Sequence, residues 1–580
     1  MERILFSISI MLLISLRSNY GFSQTKSSPG ISDRKWWKEA VVYQIYPRSF
    51  KDNDGDGIGD LKGIISKLDY IKSLGIDVVW LNPIYSSPND DNGYDVSDYR
   101  NIMKDFGTMA DFDSLVKGMH TRGIKLVMDL VVNHSSDEHD WFKQSRSSRT
   151  NPYRNYYHWW NADRGKPSPR YSLFDVNHDA WKYDSLTDAY YLHYFSRKQP
   201  DLNWENPQVR KEVFDIMKFW ADKGIDGFRL DAFQFAAKDT SFPVFPAGYE
   251  KKFQLYYAMG PLLHDYLREM NQEVFSKYDV MSVAEGAGNT FKDAHDLVDP
   301  DRKELNMAYA FDGVDIAKPQ GYNLLHFKEV FSRWDSAFAA NGWLSIFLSN
   351  HDQARLVSRF GNDSPAFREL SAKLLATFIM TMRGTPYYYY GDELGMTNIR
   401  FNKIQDYRDM SIINEYQHQK DIHADTLKFL ELEKFVSRDN GRTPFQWDNS
   451  TNAGFTKGKP WIQVNPNYTY INALIEENDP HSCLNYFRRL VKLRKNNLTL
   501  VYGKYRLLDK NNPNVYAYTR ERNGEKFLIL LNFSPTDAQT QIGMTVKNFL
   551  LSNYNDYHIR KGKQRVIELR PYEALVCLLK

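Results

Sequence analysis

Apolar residues recur along this chain in two alternating textures: stripes at helical spacing, then short unbroken runs. Leu61, Ile64, Ile65, Leu68, Ile71 and Leu74 share one helical face, and Gly75 follows as a stop. Residues 76–81 (IDVVWL) come next and predict a buried strand. A second copy ends in Arg122-Gly123 and continues as IKLVMDLVV. In the third, Asn206-Pro207 supplies an N-cap and a first-turn proline. Val209, Val213, Ile216, Met217 and Trp220 form the apolar face, Gly224 ends it, and IDGFRLD follows. Strands without a polar face, alternating with helices, predict an α/β fold with a parallel sheet covered on both sides. Extended over roughly 460 residues, the pattern fits a closed (β/α)8 TIM barrel better than an open sheet.

The alternation fails between Asn133-His134 and Glu205. Residues 141–204 hold 16 Phe, Tyr or Trp in 64 positions, too aromatic for a disordered linker, which predicts a folded insertion domain after strand 3. A second irregular stretch, about 397–465, carries polar helices and then RDNGRTPFQWD. After about residue 500, alternating runs such as VYAYTR and KFLILLNF, separated by Asn523-Gly524, predict a C-terminal antiparallel β domain. The expected division is a first barrel part at 24–133, the insertion at 134–204, a second barrel part at 205–500 and the β domain at 501–580. The basic run Arg560-Lys561-Gly562-Lys563 reads as a solvated hairpin.

Residues 1–23 read differently. Arg3 precedes an apolar run from Ile4 to Leu16, and Gly21-Phe22-Ser23 offers a small-x-small cleavage site. Thirteen residues suit a signal peptide and are too few for a permanent span, so a periplasmic or secreted mature protein is expected. Neither Cys lies near this site, which argues against a lipoprotein anchor.

Composition narrows the partners. Lys+Arg 75 against Asp+Glu 72 gives +3, too balanced for a nucleic-acid or polyanion binder. Cys483 and Cys577 cannot build a disulfide framework. Aromatics reach 15%, which serves a large core and also suits stacking on sugars. No GxSxG elbow, HExxH zinc motif or P-loop occurs.

In a barrel of this kind, polar residues just past the C-terminal strand ends face the active site. Here LVMDLVVNH (Asp129 to His134), GFRLD (Asp231), VMSVAE (Glu285) and IFLSNHD (Asp352) all end in such residues. These segments resemble the conserved regions of glycoside hydrolase family 13, the α-amylase superfamily. Lys198–Asn203 (KQPDLN), WWKEAVVYQIYPRSF, DNGYDVSDY, NHSSDEHDWF and RDNGRTPFQWD are similar to its oligo-1,6-glucosidase and α-glucosidase branch. The resemblance runs from about 35 to 580 and implies a retaining, exo-acting α-glucosidase acting on maltose and short malto- or isomalto-oligosaccharides. By family position Asp231 is the nucleophile, Glu285 the acid/base and Asp352 the third carboxylate. Arg229, counted with the substrate-binding residues, would hold Asp231 ionised, and His134 and His351 would bond the sugar. Asp95 would pair with Arg438 to close the non-reducing side, with Tyr94 stacked on the terminal glucose. Ala232 stands where α-1,6-specific members carry Val, and so points to acceptance of α-1,4 links.

The loop Asp52-Asn53-Asp54-Gly55-Asp56-Gly57-Ile58-Gly59-Asp60 matches nine positions of an EF-hand loop, with Gly63 in place of the twelfth-position Glu. The departure argues against an EF-hand, while the family carries one structural ion here. Asp52, Asp54, Asp56, the Ile58 carbonyl and Asp60 are the candidate ligands, for Ca2+ before Mg2+, and no organic cofactor is expected. The expected partner is a small neutral oligosaccharide, with no membrane span in the mature chain and monomer and dimer both open. A sucrose- or maltose-rearranging isomerase or transglucosylase is the alternative enzyme, although the charged Arg/Asp loop that resembles sucrose isomerases is missing. A non-catalytic relative, such as a transporter heavy subunit, is the alternative outside enzymes, and the presence of all three acids speaks against it.

Overall fold

The computed structural model describes residues 34–556, 560–561 and 566–580. The apolar runs become eight parallel strands: β1 (Val42–Ile45), β2 (Val78–Leu81), β3 (Lys125–Val131), β4 (Gly227–Asp231), β5 (Met281–Ala284), β6 (Met307–Ala308), β7 (Ser345–Ile346) and β8 (Thr385–Tyr389). Each pairs with its neighbours in chain order, β8 returns to β1, and a parallel bridge from Ala308 to Leu344 joins β6 to the start of β7. The sheet is therefore closed, as the repeat predicts.

Closure explains why the strands have no polar face. Val42, Val78, Trp80, Val127, Met281, Val283, Met307 and Tyr387 pack in the lumen. Their alternates, such as Tyr43, Ile45, Val79, Leu126 and Leu230, pack outward against the helices. Helix α1 (Pro207–Asp222) begins with Pro207, and its Asn206 cap accepts from the Gln208 N–H. It buries the predicted Val209, Val213, Ile216, Met217 and Trp220, each contributing about 1.5–3 kcal/mol. The stop at Gly224 has φ +93°, which favours glycine.

The stripe at 61–74 departs from its expected single helix. It forms Leu61–Ser66 and Leu68–Ser73, broken where Lys67 takes φ −115° and ψ 9°. The Lys67 N–H bonds the Ile64 carbonyl, and its ammonium lies 4.1 Å from the centre of the Trp447 ring. A tertiary contact thus overrides the local period.

Within the predicted insertion, Trp159–Asn161, Trp181–Asp184 and Ala189–Leu192 form a three-stranded antiparallel sheet. The stretch around 397–465 carries helices Met410–Asp421 and Thr426–Val436 over a small core of Phe401, Tyr407, Ile412, Leu430 and Ile462. At the C-terminus a five-stranded antiparallel sheet includes the hairpin Val515–Arg522 and Glu525–Asn532. Asn523 and Gly524 turn it with φ of 50° and 81°. Of the basic run, Arg560–Lys561 is a short strand, and the rest lies outside the described residues, as does the expected signal peptide.

Candidate active site

Four of the strand-end acids converge at one end of the barrel. The register pairs Asp129 of β3 with Arg229 of β4, and Arg229 shares its strand face with Asp231 two residues later. The Arg229 guanidinium is wholly buried and faces three carboxylates. Its Nη1 donates to Asp129 Oδ1 at 2.6 Å and to Asp231 Oδ1 at 2.5 Å. Its Nη2 lies 2.5 Å from Glu285 Oε1 as an ion pair without hydrogen-bond alignment. Arg229 is thus the hub that positions the acids, and its burial removes it from the expected set of sugar-binding residues.

Glu285 is fixed from its other side. After Asp231 the chain turns through Ala232 in the left-handed region, φ 44° and ψ 19°, and this aims the Ala232 N–H at Glu285 Oε2, 2.8 Å away. Burial raises the Asp231 carboxyl, Arg229 opposes the shift, and the charges of Glu285 and Asp129 add to it. Burial also raises Glu285, again opposed by Arg229 and reinforced by Asp352. Two such neighbours titrate as a pair, so one proton is retained to higher pH than an isolated carboxyl would hold it. One ionised and one protonated carboxyl is the state a double displacement needs, and two acids gripped by one guanidinium favour its narrow spacing of about 5–5.5 Å.

Asp352 is set apart electrostatically. Burial would raise it, but His351, Arg438 and Arg442 outweigh burial and hold its carboxyl well below the usual range. Arg438 Nη1 and Arg442 Nη2 donate to Asp352 Oδ1 at 3.0 and 3.2 Å. Asp352 is therefore biased toward its ionised form, and the Asp231–Glu285 pair toward holding a proton.

The two histidines are buried among hydrogen bonds. Gln44 Nε2 meets His351 Nδ1 at 2.9 Å, which leaves the ring proton on Nε2, facing Tyr94 Oη at 2.6 Å and Asp352 Oδ2 at 3.2 Å. Tyr94 Oη passes the chain on to Asp129 Oδ2 at 2.9 Å. The Tyr94 and His351 rings stack with centroids 5.3 Å apart, so one face of Tyr94 is taken. His134 Nε2 meets the Tyr94 carbonyl and Gln199. Burial lowers both histidines to about 3, keeping them neutral.

The expected Asp95–Arg438 pair is not formed. Asp95 is fully buried and accepts from Ser87 Oγ and from the N–H groups of Asp90 and Asp91. It braces its own loop. Arg438 instead holds Asp409 through Nε and Nη2, both at 2.6 Å, and its Nη2 lies 3.8 Å from Asp91 Oδ1. Asp91 sits three residues before Tyr94, and its Oδ1 is buried without a hydrogen-bond partner. Asp91, Asp409 and Arg442 are the site residues that sequence reasoning passed over. The first lies in the DNGYDVSDY segment, in the same loop as Asp95, and the second is the N-cap of helix Met410–Asp421, where no periodicity marks it.

In the acidic loop, ligand atoms of Asp52, Asp54 and Asp60 lie within 4.8 Å of one another. Asp56 is outside that group, and its Oδ1 accepts from the Ile58 N–H. Asp52 also accepts from the Gly55 and Gly57 N–H groups, and Asp60 from those of Asn53 and Gly63. Three converging carboxylates, two of them buried, form a donor set suited to a hard divalent cation.

An arginine-centred cluster of carboxylates at the mouth of a (β/α)8 barrel, beside a third ionised acid, defines a glycoside hydrolase. Residues 44–503 match the α-amylase catalytic domain and 505–576 the maltogenic amylase C-terminal domain, so the chain belongs to glycoside hydrolase family 13. It is 50% identical to an oligo-1,6-glucosidase of Parageobacillus thermoglucosidasius over 94% of this chain and 99% of that protein. It is 45% identical to an α-glucosidase of Pediococcus pentosaceus over 93% and 98%. The isomaltulose synthase structure from Protaminobacter rubrum superposes with a TM-score of 0.91 at 44% identity, covering 94% of this chain and all of that one. No helix among the described residues is long and apolar enough to cross a membrane.

Proposed function

We propose that this enzyme is a retaining, exo-acting α-glucosidase that removes terminal glucose from short α-linked oligosaccharides. The observation that carries the reading is the Arg229-bound pair Asp231 and Glu285, flanked by Asp352 in the grip of Arg438. Asp231 attacks the anomeric carbon while Glu285 protonates the leaving oxygen. Water, activated by Glu285, then cleaves the glucosyl ester. Asp352 stays ionised and faces the developing positive charge of the ring. Arg438, with Asp91 and Asp409, walls off the non-reducing side, and a glucose hydroxyl would supply the partner that Asp91 Oδ1 lacks. Incubation with maltose, isomaltose, sucrose and trehalose tests this. Release of α-glucose, followed as the newborn anomer, is expected, and β-glucose would overturn the retaining assignment. The synthase relationship favours one other reading, in which sucrose is rearranged to a reducing disaccharide with little free glucose.

Ala232 tunes the linkage. An α-1,4-linked second sugar crowds this strand end, whereas the extra rotatable bond of an α-1,6 link lets it swing away. Ala232→Val is expected to lower kcat/KM for maltose about tenfold more than for isomaltose. A β-branched residue at φ 44° also strains the turn, so the ratio of the two substrates, not absolute activity, is the measurement. Equal losses on both would remove Ala232 from the selector role.

Asp52, Asp54 and Asp60 would hold one structural Ca2+, which braces the loop after β1 and takes no part in the chemistry. Binding confined to the folded state should raise Tm. Chelator is expected to lower Tm in wild type and to have little effect in Asp54→Ala. An unchanged wild-type Tm, with no metal copurifying, would reduce the loop to an acidic turn. The mature enzyme would act in the periplasm or outside the cell after loss of residues 1–23, which N-terminal sequencing of the native protein checks.

A further inference from the structure

The insertion meets helix Met410–Asp421 through side chains that the chemistry above does not use. His178 of the insertion lies against Glu415 and His418, which stand three residues apart on one face of that helix. His178 Nε2 is 3.2 Å from Glu415 Oε2, with the two side chains only 25% and 30% exposed. The His418 ring meets the His178 ring edge-on, centroids 4.7 Å apart. Beside them Asn414 Nδ2 donates to the Phe174 carbonyl at 2.8 Å.

His178 is held in place by its own loop. Its N–H donates to the Asp175 carbonyl and its carbonyl accepts from the Ser172 N–H, both at 3.0 Å, and the Tyr171 ring stacks on it at 5.1 Å. Its Nδ1 lies 3.3 Å from the Ser172 carbonyl, which can only accept, so Nδ1 carries the hydrogen. The neutral ring therefore turns a bare Nε2 toward a carboxylate. Gln419 Nε2 donates to Glu415 Oε1 at 2.6 Å, which leaves Oε2 for the ring. Two lone pairs face each other there until a proton joins them. The other charges around the ring are engaged elsewhere: Asp175 pairs with Arg197 at 2.9 Å, Asp179 lies 3.8 Å from Lys166, and Glu250 bears on the Tyr171 hydroxyl. His418 is a second imidazole, and a charge on it would oppose one on His178.

This contact reaches the pocket by two links. Asp409 caps the same helix and holds Arg438, and the Arg438 guanidinium lies 5.0 Å from the centre of the Phe174 ring, four residues before His178. Phe174 packs in turn on Phe195, and Phe195 on His134. Helix and loop thus form two halves of one wall on the non-reducing side. We infer that His178 and Glu415 are positioning residues for that wall: protonation of His178 closes the pair, draws the loop onto the helix and tightens the glucose pocket. The inference rests on the α-glucosidase reading. Histidine changes charge between about pH 5 and 8. The closing interaction is present while His178 is protonated and is lost as pH rises. Asp231 and Glu285 belong to barrel strand ends, so the effect falls on KM and spares kcat.

The test follows the ratio of KM for maltose in His178→Ala to that in wild type, from about pH 5.5 to about pH 8. The titration of the Asp231–Glu285 pair cancels in this ratio. A pair as exposed as this one predicts a ratio of about three at the acid end and about one at the basic end, with kcat changed less than about twofold. Glu415→Gln should show the same dependence and add nothing to His178→Ala. His178→Lys, charged throughout, should keep the low KM to the basic end. A ratio that does not vary with pH would make the contact ordinary packing, and a matching fall in kcat would place His178 in the chemistry; either overturns the inference. Should wild type leave maltose uncleaved, the α-glucosidase reading fails instead, and amide hydrogen exchange decides the pairing by itself. Residues 171–178 should exchange more slowly in wild type than in His178→Ala at the acid end and alike at the basic end, and equal exchange at both ends would overturn the pairing.

Discussion

Asp231→Asn is expected to lower kcat by about 10^4-fold or more while leaving the fold intact, because an amide cannot form the glycosyl ester. Stability should hold or rise. Arg229 is one cation facing three carboxylates, and the substitution removes one of the mutually repelling charges while Asn can still accept from Nη1. Thermal melting alongside turnover therefore separates loss of chemistry from loss of structure. In Asp231→Gly, added azide should restore slow reaction and yield the β-glucosyl product, since the small anion attacks from the vacated side. Near wild-type turnover in Asp231→Asn would end the nucleophile assignment.

Glu285→Gln is expected to cost about 10^2–10^4-fold, with a signature in pH. Burial raises both members of the Asp231–Glu285 pair, so activity requires that the pair hold one proton. Rate should fall on the acid side as Asp231 is protonated and on the basic side as Glu285 loses its proton. Glu285→Gln removes the proton donor, so the basic limb should disappear from what activity remains, while the acid limb, along which wild-type Glu285 is already neutral, should stay close to its place. Oligosaccharides should suffer more than aryl glucosides with acidic leaving groups, which need less help to depart. A variant that keeps both limbs unmoved would place the acid elsewhere.

How far the sequence discloses this site depends on what positions each residue. Asp129 lies in β3, Asp231 ends β4, Glu285 follows β5 directly and Asp352 comes shortly after β7, and once the strand pattern is read their place on one rim follows from chain connectivity. Arg229 is legible for the same reason, but its grip on Glu285 and Asp129 comes from neighbouring strands and needs the closed sheet. The pocket wall is hidden from the sequence for a local reason. Asp91 and Asp95 lie four residues apart in one acidic loop, and only the folded loop shows Asp95 turning back to the N–H groups of Asp90 and Asp91. Asp409 comes from a helix cap in the irregular 397–465 stretch, where pairing with Arg438 is purely tertiary. The split of the 61–74 stripe at Lys67 has the same origin, a contact with Trp447 far along the chain.

The closure between β6 and β7 carries a mechanical consequence. Each of these strands is two residues long, and one bridge, Ala308 to Leu344, joins them, whereas β3 and β4 share five register pairs. A cylinder hooped this unevenly yields first along its thinnest seam. That seam runs between the wall bearing Glu285 and the wall leading to Asp352, while Asp129, Arg229 and Asp231 sit on the stiffest staves. Thermal breathing and inherited loop changes alike are thus channelled to the side that shapes the bound ring and its leaving group. The nucleophile and its guanidinium anchor keep their relative placement, so specificity can drift along the seam without the attack geometry being rebuilt.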